Sequence, residues 1–401
     1  MAAGRPHPAV YMVLIIPFGL VTGFISVTLG YLLGNAGVKA EGVAALVAVS
    51  FIPQTWKFLW APIADLTLTR KHWYALSALF SGIGLAALGA IPPAAASLPL
   101  MSAVAFGASL ATTFLAMSVE SLMAYGTPDA ERGRAGGWFQ AGNLGGFGIG
   151  GGAALWIAEN LPQPWLPGAT LGVVCIVCCF ALAFIAEPEK FERPPRVLAS
   201  VVQVVRDLWS VVRSRPGFLA LLICFLPIST GAATNLWAAI AADWRAPATT
   251  VALVTGALGG VASAIGCLVG GYWCDRMERK KAYWVFGIAQ SACAIAMALS
   301  PRTEFVYISY VMLYAFISGL TYAAFSAVVL EAIGHGAAAT KYNVFASLSN
   351  MPIAYMTLVE GWAHTRWGAS TMLWTEAGIC LAAIVFFMGM QIALRDRHGP
   401  R

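Results

Sequence analysis

The amino-acid sequence predicts an all-α polytopic membrane protein, with twelve transmembrane helices arranged as two six-helix pseudo-repeats. Three observations carry this. Only 10% of the 401 residues are Asp, Glu, Lys or Arg and 59% are apolar, whereas a soluble globule carries roughly 25% charged residues. Apolar stretches near the ~20 residues that cross a bilayer core follow one another from end to end, too long and continuous for the strands of a membrane β-barrel. Acidic landmarks recur at one offset, 210 residues from Asp65 to Asp275 and 211 from Glu120 to Glu331. The connectors leave no room for a separate catalytic domain.

In the first half the spans are 10–33, 43–63, 73–92, 98–122, 136–158 and 166–186. The first follows a single basic residue, Arg5, and lacks a small-residue cleavage site, so it reads as a retained helix and not a signal peptide. Span two holds Lys57 and closes at Asp65; span four closes at Glu120. Span five contains Gly142, Gly145, Gly146, Gly148, Gly150, Gly151 and Gly152. Its segment 146–151 matches the dinucleotide fingerprint by letter alone, because no strand precedes it. The overlapping G-x-x-x-G spacings instead let helices approach closely. In span six, Cys175 and Cys178 read as small apolar packing groups rather than a redox or metal pair.

The polar segment 187–217 contains Pro188, Pro194, Pro195 and Pro216, with a short amphipathic helix expected over 197–212. It divides an N-terminal bundle (1–190) from a C-terminal bundle (217–401) through a linker (191–216). The second-half spans are 217–240, 249–273, 282–300, 305–333, 342–363 and 368–394. Span eight closes at Asp275 and span ten at Glu331, repeating the landmarks of the first half. Equivalent acids at the same end of equivalent helices imply a parallel repeat about an axis along the membrane normal. Pro17, Pro53, Pro62, Pro227 and Pro352 mark expected bends.

Counting Lys and Arg by side gives nineteen against four when the N-terminus is cytoplasmic, with Lys57 left inside span two. That asymmetry orients both termini to the cytoplasm, in a bacterial-type inner membrane. The net charge of +6 is then a topology signal, and no nucleic-acid partner is expected.

The segment 271–280, G-Y-W-C-D-R-M-E-R-K, resembles the loop signature G-x-x-x-D-R-x-G-R-R of the major facilitator superfamily, departing at Glu278 and Lys280. Its N-terminal counterpart, 61–71, keeps Asp65. The segment 128–135 resembles the superfamily's connector between helices four and five. Residues 56–65, W-K-F-L-W-A-P-I-A-D, are similar to the K-x-L-W-x-P-x-x-D segment of the AmpG-type muropeptide permeases and the related acetyl-CoA transporters and siderophore-uptake permeases. The resemblance implies the major facilitator fold, alternating access and a cavity lined by helices one, four, seven and ten. The gly-pro motif of related antiporters has Gly151 where proline is required, which leans toward import or symport.

Lys57 lies eight residues before Asp65, about 12 Å along a helix, where the half-thickness of the hydrocarbon core is about 15 Å. A lysine so deep meets substrate, a coupling carboxylate or a structural partner. Glu376 lies comparably deep in span twelve and is either a proton site or a rim residue; Glu360 reads as a surface partner of Arg366. Along the cavity helices, Asn235, Trp237 and Tyr322 are the strongest solute contacts, because an amide or polar aromatic needs a partner in a dry bundle. Serine and threonine hydroxyls such as Thr22, Ser26, Thr112, Thr113 and Thr321 more often bond back to their own helix. Gln140, Asn143, Asn343 and Asn350 start helices five and eleven and either join the gate or face the cavity, with Gln140, Asn143 and Asn350 read as substrate or coupling candidates. The cytoplasmic gate is read as Asp65, Arg70, Glu120, Arg132, Arg134, Asp275, Arg276, Arg279, Glu331 and Lys341; the alternative is a set of solvated helix ends. Each exposed pair contributes only about 0–1 kcal/mol, and several together bias two states that differ by a few.

No catalytic residues, metal site or cofactor are expected, and no Walker-type loop is present for ATP. The expected activity is secondary transport of a small organic solute across the bilayer, by proton-coupled uptake of a muropeptide-like or siderophore-like compound. The alternatives are export of amphiphilic compounds, or a non-transporting membrane sensor or enzyme on the same fold. In a background free of native cysteines, single cysteines placed within 187–217 are expected to react with an impermeant thiol reagent only from the cytoplasmic side; labelling from outside reverses the orientation.

Overall fold

The computed structural model describes residues 7–57, 59, 60, 67–127, 132–186, 206, 209, 213–274, 276–333 and 344–396. Among the described residues there is no strand, and twelve legs run back and forth. In the first half these are α1 (Ala9–Asn35), α2 (Ala40–Thr55), α3 (Arg70–Ala90), α4 (Ala95–Met123), α5 (132–160) and α6 (Leu166–Phe184). In the second they are α7 (213–247), α8 (Ala248–Cys274), α9 (Arg279–Leu299), α10 (Glu304–Ile333), α11 (344–367) and α12 (369–396). The turns at 36–39, 91–94, 161–165, 245–247, 300–303 and Gly368 lie on one side, the far side. α6 ends and α7 begins on the other side, here called the linker side. The amphipathic helix expected over 197–212 lies outside the described residues, save 206 and 209.

Local sequence starts and stops these legs. The Thr69 hydroxyl accepts from the His72 amide to cap α3, and the Ser214 hydroxyl accepts from the Gly217 amide to cap α7, supplying acceptors for first-turn N–H groups. Gly368, at φ 82°, turns the chain between α11 and α12 where a β-carbon would be strained.

Glycines set the closest helix contacts. Gly142, Gly146 and Gly150 recur every four residues and so share one face of α5; a β-carbon there would come within 2.2–2.4 Å of the Met12, Ile16 and Leu20 carbonyls of α1. Gly152 presents another face to α8, where a β-carbon would lie 2.6 Å from the Ala252 carbonyl. The wide turns of α5 (Ile149–Ala153) free backbone carbonyls, and the Thr28 hydroxyl of α1 lies 3.0 Å from both Gly150 O and Gly151 O.

α7 departs from the expected continuous span of 217–240. Its regular helix ends at Phe225. Pro227 lacks an amide hydrogen and pushes the residue before it out of the helical region, and Ser229 and Gly231 follow with φ of 49° and 69°. The chain continues through short 3-10 turns, Ala232–Asn235 and Ala241–Trp244. Neighbouring legs satisfy the exposed backbone: Tyr355 donates to Phe225 O at 2.7 Å, Tyr283 to Ile228 O at 3.1 Å and Tyr307 to Trp237 O at 2.9 Å.

The apolar cores distinguish the two sides. On the far side one cluster joins Val27, Tyr31, Ala40, Ala44 and Leu155 of the first half to Trp237, Trp244, Tyr307 and Met372 of the second. On the linker side, the cluster around Tyr11, Tyr74 and Leu122 is confined to the first half and that around Tyr283, Phe325 and Phe387 to the second. Far-side close approaches reinforce the shared core: a β-carbon on Gly34 would lie 2.4 Å from Ala239 O, and one on Gly361 2.4 Å from Ala44 Cβ.

Gly146→Leu is expected to destabilise the α1–α5 contact by about 3 kcal/mol or more, since backbone and not a flexible side chain blocks it. Gly145→Ala, at a position with open space within 4 Å, is expected to be neutral or stabilising. Melting curves of the two purified variants against the parent check this.

Candidate functional site

The first-half charges meet on the linker side. The regular helix of α2 ends at Thr55 and bends at Trp56, which carries Lys57 toward α4. Its ammonium lies 3.2 Å from Glu120 Oε1, and both side chains are largely buried, at 16% and 24% exposure. One turn away Trp60 donates to the Thr113 hydroxyl at 3.0 Å, and Arg70 donates to the Ser121 hydroxyl. In the second half, Glu331 of α10 faces Arg279 at 3.5 Å and Lys280 at 3.6 Å. Arg276 instead lies over the Tyr272 ring, 3.4 Å from its centroid. Ion pairs between described residues on this side therefore stay inside one half. Asp65, Asp275, Lys341 and Asn343 lie outside the described residues, and of Arg132 and Arg134 only the backbone is described.

A polar bridge crosses between the halves at mid-membrane. Ser26 of α1 donates to Asn235 Oδ1 at 3.4 Å, and Asn235 Nδ2 donates to the Thr357 hydroxyl of α11 at 3.1 Å. The unwound part of α7 brings Asn235 to this position. Other hydroxyls bond within their own helix: Thr22 to Phe18 O, Thr112 to Ser109 O, Thr113 to Leu110 O and Thr321 to Ile317 O. Gln140 accepts from Asn143 at 3.3 Å, Asn350 donates to Ala346 O, and Tyr322 is half exposed on α10.

Glu376 is buried and accepts from the Tyr314 hydroxyl of α10, and the Tyr314 ring stands edge-on to Trp237 at 5.3 Å. Glu360 is fully buried rather than a surface residue, and the guanidinium of Arg366 lies over Trp362 instead. On α9, Gln290 donates to the Ser318 hydroxyl at 3.3 Å. A small cavity lies where α7 is broken, lined by Pro227, Ser229, Thr230, Gln290, Met356 and Glu376 among others.

The far side carries contacts that sequence reading missed, because their partners are distant in the chain. His364 of α11 lies 2.6 Å from Asp243 Oδ2 at the end of α7, and the Thr365 hydroxyl accepts from the Glu41 amide across the halves at 3.0 Å. Arg302, in the turn before α10, donates to the Ser370 hydroxyl and lies over the Trp244 ring. Burial pushes its guanidinium below the usual arginine range, against the pull of Asp243. A recess of about 830 Å³ between α5 and α8 is lined by exposed apolar groups such as Trp156, Leu253 and Val261. It faces the surrounding membrane and offers few polar groups to orient a solute.

The family model described as Major Facilitator Superfamily matches residues 11–357. The chain is 24% identical to the anhydromuropeptide permease of Escherichia coli (strain K12), with 96% of this chain and 79% of that protein aligned. Among solved structures it resembles the nucleoside transporter NupG (TM-score 0.72, 12% identity, 95% of this chain and 98% of that one). It also resembles a D-xylose-proton symporter (TM-score 0.72, 13% identity, 95% and 96%).

The Lys57–Glu120 pair yields a stability prediction. Glu120→Gln leaves an uncompensated, largely buried ammonium and is expected to cost about 3 kcal/mol. Removing both charges in Lys57→Met/Glu120→Leu is expected to recover most of that. A double-mutant cycle in melting temperature reads the coupling, and additive losses would break the pairing.

Proposed function

The chain belongs to the Major Facilitator Superfamily, and from that premise we propose that it is a secondary transporter importing a muropeptide-like solute across the inner membrane in symport with protons. In this reading the linker side is cytoplasmic, consistent with the nineteen-to-four distribution of Lys and Arg. The observation that carries the proposal is the contrast between sides. The halves share an apolar core on the far side and keep separate cores on the linker side, an arrangement suited to a state closed outward and accessible inward.

Alternating access then consists of the two bundles, 1–190 and 217–401, rocking about the Ser26–Asn235–Thr357 bridge. Opening outward separates Gly34 from Ala239 and Gly361 from Ala44, while the linker-side ends converge. Charged ends there, among them Asp65, Arg70, Arg132, Arg134, Asp275, Arg276 and Lys341, would supply the inward gate. Exposed pairs suit that task because each is weak enough to break in every cycle.

Support for the solute class comes from two sources. One is the alignment with an anhydromuropeptide permease over nearly the whole chain; the other is the K-x-L-W-x-P-x-x-D segment beginning at Lys57. A sugar-peptide presents hydroxyl, amide and carboxylate groups. Gln140, Asn143 and Asn350 can meet the first two, Tyr322 a sugar ring face, and Lys57, released from Glu120, a carboxylate.

The experiment is uptake of a radiolabelled anhydromuropeptide into proteoliposomes containing only this protein. Saturable accumulation under an inward proton gradient, abolished by a protonophore, is expected. Binding without flux would favour a sensor, and flux unaffected by the gradient would remove the proton from the cycle.

A further inference from the structure

Glu360 and Glu376 are each eight residues from Gly368, one on either side of the α11–α12 turn. At 1.5 Å per residue both carboxylates start about 12 Å below the far-side turn, on adjacent antiparallel legs. They are 0% and 4% exposed and lie within reach of each other's charge. Tyr314 satisfies one oxygen of Glu376. Both oxygens of Glu360, the second of Glu376, the Gln290 side-chain carbonyl and the Trp237 indole N–H have no partner among the described residues.

The charged and titratable surroundings can be named leg by leg. Tyr314 faces both acids from α10, and Cys293 of α9 and Cys380 of α12 lie near Glu376; on α11 itself His364, one turn outward of Glu360, is held by Asp243 at 2.6 Å. α7 contributes Trp237, whose carbonyl accepts from Tyr307. α2, packed on α11, has no ionisable residue between Glu41 and Lys57. Among the described residues His364 is the one base in this set, and its ring is engaged by Asp243. Two carboxylates held together in a dry site without a cation of their own do not both ionise, and leaving several buried polar atoms unpaired costs about 1–3 kcal/mol each.

Their position ties them to the moving parts. Gly361, next to Glu360, forms the close far-side contact with Ala44, so Glu360 sits directly behind the seam that parts when the far side opens. Thr357, one turn inward, holds Asn235 in the bridge between the halves. Met356 and Cys380, one turn inward of the two acids, line the small cavity at the break in α7, into which Glu376 and Gln290 face.

We propose that Glu360 and Glu376 form one proton-binding site, sharing a proton that loads when the far side is open and is occluded when it closes. The proton leaves toward the linker side past the polar side chains that line the α7 break, a gap without room for a water molecule until the legs move. This inference rests on the transport reading for its role in the cycle, but not for the existence of the site. Loading neutralises the pair so that the α2–α11 seam can close over it. Loss of the proton leaves charge behind the seam and favours the outward-open state, where water reaches Glu360. The transfer is of H⁺ alone, with water on each side as donor and acceptor.

Two measurements on the full-length protein separate the site from its role. Infrared difference spectra across a pH titration are expected to show a protonated carboxyl band that is lost or displaced in Glu360→Gln and again in Glu376→Gln; a band unchanged in both variants overturns the site. In proteoliposomes both variants are expected to keep counterflow exchange of anhydromuropeptide and lose gradient-driven accumulation; accumulation at the parent level in both overturns the coupling role. Should the parent move no solute, the transport reading fails while the infrared test still decides the site. Thermal stability measured in sodium against choline chloride addresses the competing cation: a sodium-specific rise in the parent that both variants lose overturns the proton assignment.

Discussion

A peptide group surrounded by hydrocarbon has no water to bond, so every backbone N–H and C=O within the membrane must find its partner in the protein. That constraint keeps most legs helical from end to end and makes one, α7, depend on its neighbours. α7 breaks at Pro227, and the break persists because tyrosines on α9, α10 and α11 donate to the carbonyls it exposes. The irregular backbone in turn delivers Asn235 to the inter-half bridge and Trp237 to the buried acids. Without those tyrosine donors the irregular, polar part of α7 could not sit at this depth.

The second determinant is how closely helices approach. Glycine removes the side chain that would hold α1 and α5 apart, and in a bilayer, where lipid is as apolar as leucine, such close packing supplies much of the attraction between helices. Within the first half these contacts make a firm unit. Between halves they are concentrated on the far side, through Gly34, Gly152 and Gly361, with separate cores on the linker side. A molecule joined firmly at one end and loosely at the other is built to pivot.

Charge follows the same division. At linker-side ends it is half buried or exposed and pairs within a half, so it can rearrange at small cost. Behind the far-side seam, Glu360 and Glu376 are buried and have no ion-pair partner among the described residues. Lys57 occupies an intermediate place: its deep ammonium is largely buried and paired with Glu120 inside the first half.

Sequence alone determined the crossings, their order, the twofold repeat and the glycine face of α5, because hydropathy and helical periodicity are local properties that neighbouring residues report together. Pro227 was visible as a bend. The extent of the break after it was not, since a long apolar run averages out in any hydropathy window while backbone satisfaction depends on Tyr283, Tyr307 and Tyr355 from other legs. Lys57 and Glu376 stand out by depth, yet their partners do not, and Glu360 reads from the sequence as a surface partner of Arg366. Only the tertiary structure decided that Lys57 meets Glu120 and that Glu360 and Glu376 are both buried, because rotation of each helix about its axis and the bend at its end choose which side chains face one another. Those quantities are set by packing between legs, and no window along one chain contains them.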